Sequence, residues 1–545
     1  MPAIVDIETN GFKDSATAIH CIVAKCPKTN TIKSWVQDEC KDFKDWSTKI
    51  DSFIMHNGIS FDGPILNKFT GTNIKTTDIR DTLIESQLFN PIREEGHGLG
   101  AWGKKLNFNK GDMDSFDTYS EDMLEYCIQD VNLTHKVMNE LDKEKVRFSK
   151  ESIELEKKVR VIIDKQEENG FTLDLRKATT LKAALEDEAN SLSQQATDIF
   201  PPTVVELKTK TKYIPFNIGS RKQIAERLME KGWEPEHKTD KGNVIVNEEV
   251  LKNIDMKEAQ MFSRYLLLQK RVSQIKSWIE LCGEDNKVHG RVMTLKTVTG
   301  RMAHNSPNMA QIPAIYSPYG KECRDCWTVS DASKYTLVGT DASSLELRCL
   351  AHYMNDTNFT NELLTGDIHT SNMKMAGLTD RDQAKTFIYA FLYGAGPAKI
   401  GKVVGGDAKQ GQKLVNRFLS NMPALKNLRN KVQEASERGY IKGLDGRVFQ
   451  IRSPHSALNT LLQGAGAIVC KQWLVCMMDM ITATGIDAKL VASIHDEYQF
   501  EVNHKDVQKF GEITKKSIKI TQEILNINCS LDSEWKAGLT WASTH

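Results

Sequence analysis

The sequence predicts an α/β multidomain chain organised around two separate sets of carboxylates, and three observations carry that expectation. Residues 1 to about 148 open on a short apolar strand, PAIVDIETNGF, with two acids on one face. From about 150 the pattern changes to long charged helices. From about 291 two apolar strand patterns each deliver an aspartate, and a helix of unusual charge spacing lies between them.

At 545 residues the chain has room for three or four domains and a large core. Its 72 basic residues match its 72 acidic ones, so net charge selects no partner. Contact with nucleic acid would need basic residues concentrated locally. Eleven cysteines, thinly spread and odd in number, suit a reducing cytosol better than a disulfide scaffold. Cys323 and Cys326 form one C-x-x-C, but no second pair or nearby histidine completes a zinc site, so the pair reads as structural. Asp6 and Glu8 interrupt the N-terminus before the apolar core of a signal peptide could form. The most apolar helix, near Ala465 to Met480, carries Lys471 and Asp479 and reads as too short to span a bilayer. A soluble intracellular protein without membrane contact is expected.

In the first strand Asp6 and Glu8 stand two apart, so both side chains leave one face. Adjacent carboxylates repel unless a cation sits between them, and magnesium or manganese, which prefer oxygen ligands, would satisfy the pair. D-x-E alone is commonly a solvated strand edge. It gains weight from HNGISFDGPIL, where Asp62 follows a glycine-containing turn, and from YCIQDVNLTHKV, where Tyr126 and Asp130 lie four apart on one helical face. Four acids and a tyrosine suffice for two-metal phosphodiester hydrolysis, the metals holding phosphate and activating water and the tyrosine orienting that water.

In the middle of the chain Val159, Ile162 and Ile163 mark an apolar helical stripe that ends at Gly170, and the pattern resumes from Leu181 to Ile199 before Pro201 and Pro202. Lys208, Lys210 and Lys212 make a local basic cluster in KTKTK. A further helical segment, MFSRYLLLQKRVSQIKSW, brings Arg264, Lys270, Arg271 and Lys276 near each other. Ordinary solvation accounts for such residues in isolation; beside the carboxylate sets they are expected to contact phosphates without regard to sequence.

The last third is dense in motifs. VTGRMAHNSPNMAQIP is turn-rich and holds Arg301 and His304. YTLVGTDASSLELRCLAHYM reads as a buried strand, then Asp341, then a helix with Glu346. An acid ending an apolar strand is costly to bury unpaired, so a metal or basic partner is expected there. LVASIHDEYQFEV is a second apolar strand interrupted by His495, Asp496 and Glu497. Between them RDQAKTFIYAFLYGAG reads as a helix, with Ala384, Phe387, Ile388, Phe391 and Leu392 as its apolar stripe and Gly394 and Gly396 as its stop. Arg381, Lys385 and Tyr389 follow at steps of four, each drifting about 40° around the helix, so they share a second face. That face offers a triphosphate two cations and a base or sugar a ring. DIHT around His369 precedes it, and Asn459 and Gln463 lie four apart on a later helix.

DIETNGF, HNGISFD and YCIQD resemble the three motifs of DEDD-type 3′→5′ exonucleases in the tyrosine variant (DEDDy). DASSLELR, RDQAKTFIYAFLYGAG and IHDEYQFEV resemble motifs A, B and C of family A (pol I-like) DNA polymerases. HGLGAWGKKL, TGRMAHNSPNMAQIP, RSPHSALNTLLQ and the tryptophan-to-histidine ending are similar to the replicative polymerases of short-tailed, T-odd phages. The resemblance covers nearly the whole chain and is weakest between about 170 and 290.

It implies an RNase H-like exonuclease domain over 1–148 followed by a right-hand polymerase: thumb 149–290, palm 291–352 and 454–545, fingers 353–453. Asp341 and Asp496, with the carbonyl of Ala342, would hold two magnesium ions, for which manganese could substitute. Glu497 would support them. Asp6, Glu8, Asp62 and Asp130 would hold two more beside Tyr126. Ser343 would lie along the nucleotide, while Arg381, Lys385 and His369 would grip its phosphates. Tyr389 would stack near base and sugar and, with Glu346, crowd the ribose 2′-position. Tyr393 would lie beside the templating base, and Arg301, Gln463 and His495 would contact DNA, the first two in the minor groove.

The relatives carry a long thumb insertion that recruits thioredoxin. Here TKTKYIPFNIGSRKQIAERL runs directly from one thumb helix to the next, so thioredoxin dependence is not expected. The exonuclease half is also compact between Trp102 and Tyr126. The resemblance further implies primer-template DNA and dNTPs as substrates, helicase-primase and single-stranded DNA-binding protein as neighbours, a monomer, and the cytoplasm of an infected bacterium. A repair polymerase, an exonuclease whose C-terminal half only binds DNA, and a non-catalytic replisome scaffold are the competing readings. Intact acids and the absence of a 5′-nuclease domain favour replication.

Overall fold

The computed structural model describes residues 1–545 apart from 208–209, 236–237 and 240. It divides into two compact units. The first joins Met1–Asn169, Val292–His304 and Val338–Trp535; the second joins Gly170–Arg291, Asn305–Leu337 and Lys536–His545.

The first unit begins with a five-stranded sheet of order β3-β2-β1-β4-β5, formed by β1 (Pro2–Thr9), β2 (Ile19–Lys25), β3 (Ile32–Val36), β4 (Ser52–Met55) and β5 (Ile79–Asp81). β1 pairs antiparallel with β2 and parallel with β4. The two-residue alternation in β1 sends Val5 and Ile7 into one core and turns Asp6 and Glu8 to the opposite side, half-buried. Against that side lies helix α2 (Glu121–Lys145), which follows α1 (Asp62–Thr70) in chain order and packs Met123, Cys127 and Val131 on Ile4, Cys21 and Val23. The Ser120 hydroxyl caps α2 by accepting from the amide of Met123 at 3.2 Å.

The rest of this unit is one apolar cluster around α7 (Ala457–Thr484). Ala465, Ile468, Val469, Trp473, Leu474 and Met477 are all inaccessible or nearly so. This corrects the expectation of a short helix. It runs 28 residues, and by length and composition alone it could cross a membrane, but 83% of its apolar window is buried in protein. It is apolar around most of its circumference because most of it is enclosed, and only its last turns, from Asp479, reach solvent. Four other helices matter for function: α3 (Lys150–Asn169), α4 (Leu345–Met354), α5 (Ile368–Ala376) and α6 (Arg381–Leu392). The second sheet has order β7-β8-β6-β9, from β6 (Tyr335–Ala342), β7 (Ala488–Ile494), β8 (Glu497–Asn503) and β9 (Ser533–Gly538). The HDE stretch thus does not interrupt one strand. It is the turn of an antiparallel hairpin, with His495 at φ 57° and Ile494 paired to Glu497.

In the second unit the helices Leu175–Ile199 and Lys257–Leu281 pack together, capped by a cluster in which Phe200, Phe216 and Phe262 lie 4.9–5.7 Å apart. The segment expected to run directly between helices begins with the second strand of a hairpin, Lys210–Ile214 against Thr203–Leu207. Lys208 lies outside the described residues, as does the side chain of Lys210. The expected basic group on Lys257–Leu281 disperses. Arg264 makes a two-pronged contact to Glu188 at 2.7 and 3.1 Å, and Arg271 is buried and donates to the carbonyl of Pro318. Lys276 pairs with Glu280 at 3.6 Å. Only Lys270 faces a groove, which it lines with Arg221, Tyr265 and Gln269. Spacings of six and twelve residues do not return to one helical face.

Candidate active sites

On the second sheet, β6 carries Asp341 at its end and the β7–β8 turn carries Asp496. The amide of Ala342 donates to the carbonyl of Asp496 at 3.1 Å, and that of Ser343 to Asp532 at 3.0 Å. The end of β6 and the β7–β8 turn thus bring the two aspartates together although 155 positions separate them in the chain. Asp341 is exposed as a residue, yet the protein packed around its carboxylate costs it hydration, and Asp496, Glu497 and Glu534 repel it, which pushes it up to about 8. Burial also raises Asp496. Glu497 is engaged by Gln499 Nε2 at 2.7 Å. Acids held together in this way fit a divalent cation, with the Ala342 carbonyl on the same strand end.

Ser344, in the left-handed region at φ 50°, turns the chain from β6 into α4 and presents Glu346. The Glu346 carboxylate accepts from Arg301 Nη2 at 2.9 Å and from the Tyr393 hydroxyl at 2.7 and 2.8 Å. Burial and Glu346 hold the Tyr393 hydroxyl well above its usual range. Arg301, Glu346, His495 and Asp496 line one small cleft, open to solvent, with Cys470 and Lys471. Arg301 and Tyr393, expected at DNA, are thus tied to the residue expected at the sugar. Gln463 is half-buried on α7 and makes no hydrogen bond among the described residues.

The shared face of α6 is present. The Tyr389 ring lies 6.2 Å from His369 and 6.3 Å from Tyr393, nearly parallel to the latter. Arg381 is held by Asp367 at 2.7 and 3.1 Å, the same Asp367 that caps α5 through the amides of His369 and Thr370. Lys385 is exposed and makes no hydrogen bond or ion pair among the described residues. His369 is kept below its ordinary value by burial and by the two cations, and its Nδ1 is buried without a partner. One cation of this face is therefore free and the other is paired.

The N-terminal acids gather as well. Ligand atoms of Asp6, Glu8 and Cys127 lie within 4.8 Å of one another, and the Cys127 thiol donates to Asp6 at 3.5 Å. Burial, then Asp130, pushes Asp6 up to about 7; burial, then Asp6, pushes Glu8 up to about 10. Asp62 is buried at the start of α1 and raised by the same causes. Asp130 Oδ1 is buried with no hydrogen-bond partner. Carboxylates that resist ionisation together and an orphaned buried oxygen fit divalent ions.

Spacing did not reveal the support of this centre. Asp81 accepts from the amides of Asn57, Ile59, Leu83 and Ile84 at 2.9–3.3 Å and so fixes the turn that aims Asp62. Gly58 in that turn is obligatory, because a Cβ there would lie 2.3 Å from Met55. Lys110, whose ammonium reaches Asp130 at 2.6 Å, also escaped the sequence reading.

The match to the family model described as DNA polymerase family A spans residues 177–543. The chain is 30% identical to the DNA-directed DNA polymerase of Escherichia phage T7 over 707 aligned positions, covering 99% of this chain and 100% of the relative. The enzyme of Enterobacteria phage T3 matches at the same identity and coverage. Since 707 positions exceed the chain's 545 residues, the T7 relative carries residues at 162 or more positions that this chain lacks. The solved POL domain of Pol1 from M. smegmatis, in complex with DNA primer-template and dNTP, shares the fold with a TM-score of 0.82 at 16% identity, over 99% of this chain and 95% of that one. With its paired aspartates, its cationic helix face and these matches, the chain belongs to DNA polymerase family A.

Proposed function

We propose that this protein is a replicative DNA-dependent DNA polymerase that extends a primer 3′-hydroxyl with dNTPs and proofreads with a 3′→5′ exonuclease. The observation that carries polymerisation is the meeting of Asp341, at the end of β6, with Asp496, in the β7–β8 turn, in a chain whose α6 presents a Lys385 unpaired among the described residues. Two magnesium ions, or manganese, held by Asp341, Asp496 and the Ala342 carbonyl, would supply the charge that acidifies the primer hydroxyl and offsets the pyrophosphate. Lys385 binds the triphosphate; Arg381 joins it by sharing or leaving Asp367, and His369 donates from Nδ1. Tyr389 stacks on the sugar and base. Glu346, fixed by Arg301 and Tyr393, crowds the 2′-position against ribonucleotides. Pairing with Glu346 also keeps Arg301 and Tyr393 poised beside the primer-terminal pair, where Gln463 joins them. Around the N-terminal sheet Asp6, Glu8, Asp62 and Asp130 would hold the hydrolytic ions, and Tyr126 would orient water.

We assign 1–148 to the exonuclease, 149–290 to the thumb, 291–352 and 454–545 to the palm and 353–453 to the fingers. Residues that the T7 relative has and this chain lacks support a thumb without a thioredoxin-recruiting insertion. Similarity to phage enzymes supports action in the cytoplasm of an infected bacterium; the reading is completed by a monomer that works beside a helicase-primase and a single-stranded DNA-binding protein. Primer extension on a long single-stranded template, with a trap for released enzyme, tests this. Long products from the protein alone support a self-sufficient replicative polymerase. Products of a few nucleotides indicate a repair enzyme or a missing partner, and primer shortening without extension overturns the polymerase.

A further inference from the structure

The loop between the helix Leu99–Lys105 and α2 is pinned at several points. The Phe108 amide donates to the Gly103 carbonyl at 2.9 Å, and Gln129 Nε2 donates to the Asn109 carbonyl at 2.6 Å. Gly111 packs so closely that a Cβ there would lie 3.2 Å from the Tyr126 ring. Between these anchors stands Lys110. Its ammonium is 2.6 Å from Asp130 Oδ2 and 4.8 Å from the centre of the Tyr126 ring. Only one Asp130 oxygen is used; the other is buried without a partner. A flexible surface lysine would not be delivered so tightly to a carboxylate that is 3% exposed.

We propose that Lys110 is a resident counter-ion of the N-terminal acid centre that compensates its carboxylates before divalent ions enter and then turns to the phosphate of the DNA 3′ end. The inference rests on the exonuclease reading above. Charge balance argues for the exchange. Two divalent ions match Asp6, Glu8, Asp62 and Asp130 charge for charge, which leaves Lys110 over for the single negative charge of a phosphodiester. The Tyr126 ring beside the ammonium gives it a second, attractive resting place during that exchange. The tyrosine expected to orient water and the lysine that would hold phosphate then stand side by side.

The test uses the full chain with Lys110→Met and Lys110→Arg. Unfolding is followed in EDTA and in millimolar magnesium, and single-stranded oligonucleotide shortening is measured across substrate concentration. In EDTA Lys110→Met is expected to lower Tm by about 2–4 °C, with magnesium restoring it, because the acids then lack any cation. Its KM for the oligonucleotide should rise about tenfold with a smaller change in kcat, and Lys110→Arg should stay near wild type in both. An unchanged response to magnesium together with an unchanged KM overturns the proposal, and so does a loss that Lys110→Arg shares in full. If wild-type protein shortens no oligonucleotide, the exonuclease reading fails, and the magnesium-dependent difference in Tm alone upholds or overturns the counter-ion.

Discussion

The two acid centres of this chain sit on two different sheets and treat their charge differently. At the N-terminal sheet Asp62 and Asp130, on α1 and α2, are buried, Asp6 and Glu8 on β1 are half-buried, and the Lys110 ammonium already pairs with Asp130. On the second sheet Asp341 is exposed and Asp496 half-buried, and the nearest lysine lining the cleft, Lys471, is occupied elsewhere. Lys471 binds Glu156 at 2.7 and 2.8 Å and the Thr294 carbonyl at 2.8 Å, and Glu156 also takes Arg447 at 2.7 Å. The difference teaches how a lysine near an acid centre should be judged. Lys471 directs every bond into the core, while the anionic partner of Lys110 among the described residues is Asp130 of the centre itself.

The largest expected effect separates the centres outright. Asp341→Asn should reduce primer extension on the order of 10³-fold or more and leave oligonucleotide shortening in place, while Asp6→Ala with Glu8→Ala should do the reverse. Both activities falling together in either variant would show that the two sets of acids are not independent. The contrast between the lysines is sharpened by Glu156→Gln, which leaves the buried Lys471 without a carboxylate partner while Arg447 keeps Asp445 at 2.7 Å. Denaturant unfolding should show a loss of about 3–5 kcal/mol. A loss below about 1 kcal/mol would mean the network is not the reason Lys471 stays away from the cleft.

Glu346→Ala removes the carboxylate that Arg301 and Tyr393 hold, and ribonucleotide incorporation should rise about 10–100-fold in single-nucleotide extension. Unchanged sugar discrimination would detach Glu346 from the sugar.

A subtler contrast lies in pH. Folding raises Asp6 to about 7 and Glu8 to about 10, so their stabilising contribution is complete below their unfolded values and is lost as pH rises through those folded values. In EDTA the Tm should therefore fall between pH 6 and 9 by about a few degrees, with magnesium giving more protection at the alkaline end. The Asp6→Ala, Glu8→Ala protein should lose much of that slope; a slope that persists in full assigns it to other groups. Tyr393→Phe is expected to change least, about threefold in extension rate, since Arg301 still holds Glu346.

Much of this was legible in the sequence because it is local. The two-residue period of a strand placed Asp6 and Glu8 on one face, and the four-residue step of a helix placed Tyr126 with Asp130 and Lys385 with Tyr389. The apolar stripe of α6 and its glycine stop followed from composition alone. Where periodicity was ambiguous the reading slipped. Apolar residues on both sides of HDE looked like one strand, although the turn between them doubles the chain back into a hairpin.

What tertiary structure alone decided is which charges are already taken. Nothing in the spacing of Arg381 says that Asp367, fourteen residues earlier, will hold it, nor that Arg264 will be claimed by Glu188. Lys110 carries no motif, and its place is set by a loop pinned to Gly103 and Gln129. Ion pairs form between residues brought together by packing, at sequence separations that no local period encodes. The sequence by itself therefore determined the family and the local placement of the acids, and the fold determined which cations are left without an anionic partner among the described residues.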